Sequence, residues 1–144
     1  PPIIAGVGPA TILFLEKSTF SADAKLPLNL MAHELAHQWW GNVVPPTLEP
    51  GYAPWLSEGL ATYSDALYYA FREGAEKGRE HLTEYAHLYY EITLHAPDQA
   101  LDDAWMTSPA YRAIAYEKAA RTLHMIHFAL GDDAFFRGLR LYAQ

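Results

Sequence analysis

From Leu28 onward, apolar positions recur mostly three and four residues apart, the spacing of a single helix face. Ahead of that pattern lies one short apolar run, Thr11-Ile12-Leu13-Phe14-Leu15, set between Gly8-Pro9 and Glu16-Lys17, which reads as a strand. A lone strand leaves its ladder groups unpaired, so its partners are expected outside this chain. A first helix is predicted over Leu28 to Trp40, stopped by Gly41-Asn42. Residues 43–54 hold Pro45, Pro46, Pro50, Pro54 and Gly51 and read as a loop. A second helix is predicted from about Trp55 to Arg72, with Pro54 at its start and Gly74 beyond its end, and a third from Ala75 to His95, before Pro97. After an irregular stretch over 96–109, a fourth runs from Ala110 to Leu130. Gly131 follows, and Asp132 is expected to cap a fifth helix that begins at Asp133. No internal repeat or low-complexity tract interrupts the pattern. The fold class predicted is mainly α, with at most a short N-terminal strand.

Composition narrows the functional classes. With 144 residues, 51% of them apolar and only 19% charged, the chain is long and apolar enough for one packed core, which excludes disorder. Its formal charge of −7 argues against nucleic acid as a partner, since that affinity rests on neutralising phosphates. There is no cysteine for a disulfide, a thiolate metal site or a sulfur nucleophile. No apolar run approaches the length of a membrane span. A start at Pro1-Pro2, without methionine or a signal-like segment, reads as an excised piece or a processed product.

The chemistry concentrates in His33-Glu34-Leu35-Ala36-His37. Residues four apart lie on one helix face, so both imidazoles can reach one ion, and Glu34 can lean over the position left for water. Zinc needs a third protein ligand, and Glu58 sits on the next helix within Trp55-Leu56-Ser57-Glu58-Gly59-Leu60-Ala61-Thr62-Tyr63. Three ligands and an open position are the pattern of a catalytic rather than a structural zinc site.

His33 to Asn42, followed by Trp55 to Tyr63, resembles the gluzincin zinc aminopeptidases of the aminopeptidase N and leukotriene hydrolase type, and the likeness resumes at Tyr111 to Ala119. The resemblance implies one Zn2+ per chain, held by His33, His37 and Glu58, with Glu34 as general base and peptides as substrates. It also implies that Tyr116, in Tyr116-Glu117-Lys118-Ala119, donates to the oxyanion, with Ala119 where the family has glycine. Asp65, two turns after Glu58, resembles an acidic residue of the family and is expected behind the ligands, orienting a histidine. The chain would then be a single partial catalytic domain over residues 1–144, the helical lobe of a thermolysin-like peptidase domain. Its parent's N- and C-terminal domains would be missing, and the fragment is expected to expose an apolar patch or self-associate.

Two features depart from the family. Twenty residues separate His37 from Glu58, two more than usual, with the surplus in the proline-rich loop. The Gly-x-Met-Glu-Asn segment that binds a substrate's free amine is replaced by Gly6-Val7-Gly8-Pro9-Ala10-Thr11, with no acid before Glu16. Glu117 and Glu49 are the acids whose positions allow them to replace that charge. An endopeptidase or another zinc hydrolase indifferent to a free N-terminus, and a catalytically weak zinc-bearing scaffold, are the alternatives. His124 and His127 read as a packed or solvated pair, His81, His87 and His95 as surface or boundary positions. Trp39, Trp40, Tyr68, Tyr69 and Phe71 read as core.

Overall fold

The computed structural model describes residues 6–7, 11–15, 28–44, 54–103 and 107–144. They form a mainly α domain: β1 (Gly6–Val7), β2 (Phe14–Leu15), α1 (Leu28–Ala36), α2 (Trp55–Glu73), α3 (Ala75–Thr93), a 3-10 turn (Leu101–Asp103), a π-helical segment (Ala113–Lys118), α4 (Ala119–Leu130) and α5 (Asp132–Tyr142).

The strand is shorter than its apolar run, and its partner lies inside the chain. β1 and β2 pair antiparallel, Gly6 opposite Leu15 and Val7 opposite Phe14. Helix α1 stops at Ala36, four residues before Trp40. There the chain tightens: the N–H groups of Gln38 and Trp39 donate to carbonyls three residues back, and the Asn42 amide donates to the His37 carbonyl at 2.6 Å. Side chain and turn thereby satisfy carbonyls that a helix end leaves open. Most of the 43–54 loop lies outside the described residues, as does Glu49.

Helix α2 is central. Leu60, Tyr63 and Ala66 join Leu82 and Tyr85 of α3, Ala120 and Leu123 of α4 and Phe135 of α5 in the main core. Leu60, Tyr63 and Leu67 repeat at helical spacing toward that core, while Glu58, Thr62 and Asp65 repeat at i, i+4, i+7 on another face.

The predicted fourth helix is continuous in direction but not in winding, because residues 113–118 widen to a π turn before α4 begins. Ile114 anchors it. Fully buried against Tyr89 and Ile92 of α3 and Leu101, this one side chain contributes about 1.5–3 kcal/mol.

Asp132 does not cap α5. It sits inside the first turn, with Gly131 before it, and its carboxylate lies 3.0 Å from His127 Nε2. Two other expectations fail at the surface: Trp39 is 57% exposed and Phe71 92% exposed. An apolar groove of about 870 Å³ opens between α1, α2 and α5, lined by Met31, Leu35, Trp39, Leu67, Phe136 and Leu139 among others. Neither His33 nor His37 lines it. No described helix is long and apolar enough to cross a membrane.

Candidate metal centre

His33 lies in the last turn of α1, and His37 follows immediately after its end, its N–H still bonded to the His33 carbonyl at 3.1 Å. Both Nε2 atoms turn to the same point, 3.0 Å apart. From α2, Glu58 Oε2 reaches to 3.4 Å from His33 Nε2 and 3.2 Å from His37 Nε2. Donor atoms that share a tetrahedral ion at zinc's bond lengths stand roughly 3.3 Å from one another. The three separations match that triangle. Among the described residues, none gives the buried Glu58 Oε2 a well-formed hydrogen bond, a costly state for a carboxylate oxygen unless a cation meets it. Among the described residues, no other three such side chains converge in this way.

The second nitrogens are held from behind. His37 Nδ1 donates to the Trp40 carbonyl at 2.9 Å, which leaves Nε2 with a free lone pair. Ser57 Oγ donates to the same carbonyl, also at 2.9 Å. That arrangement requires Gly41: its φ is +116°, and a Cβ there would stand 2.7 Å from Ser57 Oγ. Asp65, buried on α2, places Oδ2 3.8 Å from His33 Nδ1, an electrostatic contact longer than a formed hydrogen bond. Tyr85 of α3 donates to that same Oδ2 at 2.7 Å.

These contacts set the charges. Burial alone would lower the His33 pKa, but Asp65 and Glu58 together raise it to about 9. Burial would raise Glu58, yet the two imidazoles take it down to about 2. Glu34, 5% exposed, is pushed above the usual carboxylate range by burial, against the pull of the neighbouring histidines.

Tyr116 stands over His33, the rings 5.8 Å apart and nearly parallel at 5°. Burial first, then the Glu58 carboxylate and Tyr111, push its hydroxyl pKa upward, so it stays a proton donor. The π turn gives three consecutive residues three directions. Tyr116 faces the site. Glu117, 1% exposed, meets Arg112 Nε at 3.2 Å, and Lys118 reaches Asp98 at 2.9 Å. Arg112 and Glu117, like Tyr111 and Tyr116, are five residues apart and meet because the turn is wide. Glu117 is sealed from solvent and paired with Arg112.

His33, His37 and Glu58, the candidate ligands, come together with Tyr116 over His33, Glu34 buried nearby and Asp65 behind. Ser57, the Trp40 carbonyl and Tyr85 were not anticipated. A backbone carbonyl carries no side-chain signal, and Ser57 and Tyr85 act from elements whose packing no motif reports.

The peptidase family M1 domain matches residues 7–144. This chain belongs to peptidase family M1. It is similar to human aminopeptidase N, 30% identical over 92% of this chain and 14% of that protein. It is similar also to endoplasmic reticulum aminopeptidase 1 of Rattus norvegicus, 29% identical over 92% of this chain and 14% of the relative, and to aminopeptidase M1 of Arabidopsis thaliana, 29% over 91% and 15%. The chain thus spans only about one-seventh of the length of these family M1 relatives. No solved structure matches it.

Proposed function

We propose that this chain is part of the catalytic domain of a zinc peptidase that acts on peptides as an aminopeptidase, with one zinc per chain on His33, His37 and Glu58. The observation that carries the reading is the 3.0, 3.2 and 3.4 Å triangle of donor atoms from His33, His37 and Glu58. When bound there, zinc supplies a Lewis acid that polarises the substrate carbonyl and acidifies a water toward a pKa of ~7.

The chain's own residues do the rest. Glu34 accepts the proton of the attacking water and passes it to the departing amine, and its burial raises its basicity toward that task. Tyr116 donates its hydroxyl to the oxyanion as the carbonyl becomes tetrahedral. The Trp40 carbonyl holds the His37 ring, and Asp65 orients His33. The domains that flank this segment in the parent protein complete the substrate cleft. The names of the relatives support action at a peptide's N-terminus. One observation favours a second reading, cleavage without need of a free amine: Glu117 is buried against Arg112.

Metal analysis and hydrolysis assays on the full-length protein test both. One zinc per chain and faster cleavage of unblocked than of N-acetylated peptides are expected. Equal rates would select the second reading, and a protein that takes up no zinc would overturn the zinc site.

A further inference from the structure

We infer that Tyr85 is a positioning residue for the metal centre, acting from α3 through Asp65 on His33; the inference rests on the zinc reading above. A file of polar atoms runs inward from α3. His81 Nε2 lies 2.9 Å from Tyr85 Oη, Tyr85 Oη lies 2.7 Å from Asp65 Oδ2, and Asp65 Oδ2 lies 3.8 Å from His33 Nδ1. The donor chemistry gives the file its direction. An ionised carboxylate only accepts, so the Tyr85 proton points to Asp65, and the Tyr85 oxygen accepts from His81 Nε2–H.

Tyr85 thereby fixes the one oxygen of Asp65 that faces the imidazole. Among the described residues, none gives the other oxygen, Oδ1, a hydrogen bond, although it is buried. At 3.8 Å from the ring nitrogen, a small rotation of Asp65 decides whether it closes on His33 or swings away. Tyr85 removes that freedom. The outer end of the file is itself anchored, because the His81 ring packs 4.6 Å from the Tyr69 ring. Tyr85 is buried in the main core with Leu82, so α3 is locked to α2 where the file crosses between them. Groups behind a metal-bound histidine typically set metal affinity by ten- to a hundredfold.

The test is zinc affinity of the full-length protein, read by competition with a chromophoric chelator. Tyr85→Phe keeps the ring and deletes the proton, and it is expected to weaken zinc binding about tenfold. In an Asp65→Ala background the same substitution is expected to change nothing further. Wild-type affinity in Tyr85→Phe, or an equal loss in both backgrounds, would overturn the inference, the latter because it marks a purely structural role. Should Tyr85→Phe fail to fold, His81→Phe keeps the packing on Tyr69 and removes the outer donor. A loss of a few-fold is then expected, and unchanged affinity overturns the inference. A wild-type protein that binds no zinc overturns the zinc reading as well, whereas wild-type binding matched by Tyr85→Phe overturns this inference alone.

Discussion

Gly59 and Ala119 leave no space between them: a methyl group built on Gly59 would lie 2.5 Å from the Ala119 Cβ. This is where α2 meets the helix that carries Tyr116. Glu58 precedes Gly59 and Tyr116 lies one turn before Ala119, so the contact sets how closely a metal-ligand candidate and the proposed oxyanion donor approach. Gly59→Ala is expected to destabilise the fold by about 1–3 kcal/mol, through overpacking that rotamer changes cannot relieve. Adding Ala119→Gly should recover most of the loss. Urea unfolding of the single and double variants checks both, and a Gly59→Ala protein of unchanged stability would mean that the helices do not pack this closely.

Glu34→Gln is expected to retain zinc and lose hydrolysis by about 10²–10⁴-fold, the range for a general base. The amide preserves shape and removes the proton acceptor. His37→Ala, in contrast, should lose the metal itself, because one corner of the donor triangle goes. Metal content and turnover measured on the same preparations separate the two effects.

Tyr116→Phe should leave zinc content intact and lower kcat by about 10²–10³-fold, with KM changed far less. The hydroxyl is assigned to charge that develops only during reaction, so ground-state binding should not register its removal. An equal change in KM alone would transfer Tyr116 to substrate binding.

Zinc binding is expected to expel protons. Against burial, Asp65 and Glu58 hold the metal-free His33 pKa up at about 9, so at neutral pH the ion must displace a proton from the ring. Affinity should therefore rise with pH up to about 9, and calorimetry in buffers of different ionisation enthalpy should detect the release. After chelation the signs differ for the two partners. His33, raised from 6.5, stabilises fully below 6.5 and loses its contribution as pH rises through about 9. Glu58, lowered from 4.5 against the effect of burial, stabilises above 4.5 and loses its contribution as pH falls toward about 2. The urea midpoint of the chelated protein should be highest between those limits, at about pH 4.5–6.5, and a flat profile would refute the pairing.

The 144-residue chain expressed by itself is expected to self-associate or bind a hydrophobic dye. Leu35 and Trp39 lie exposed beside the apolar groove of α1, α2 and α5. A compact monomer without dye binding, seen by size-exclusion chromatography and fluorescence, would show that the groove is covered.

The helices were readable because their signal is local: residues four apart face the same way whatever surrounds them, and this put His33 and His37 together before any fold was considered. Glu58 was readable as a candidate on the next helix and Tyr116 only through resemblance, since the sequence has no ruler for the gap between two helices. Trp39 and Phe71 went wrong for the same reason, because helical spacing says which residues share a face but not which faces are covered.

The winding of the segment over 113–118 belongs to tertiary structure. Ala113, Ala115 and Ala119 are all fully buried, and that close packing accompanies the wide turn that aims Tyr116 at His33. Residue order thus determined which groups were available for metal chemistry and on which helices they ride. The orientation of those groups by Ser57 and Tyr85 was decided only when the helices packed, because hydrogen bonds between distant segments depend on distances that no local pattern encodes.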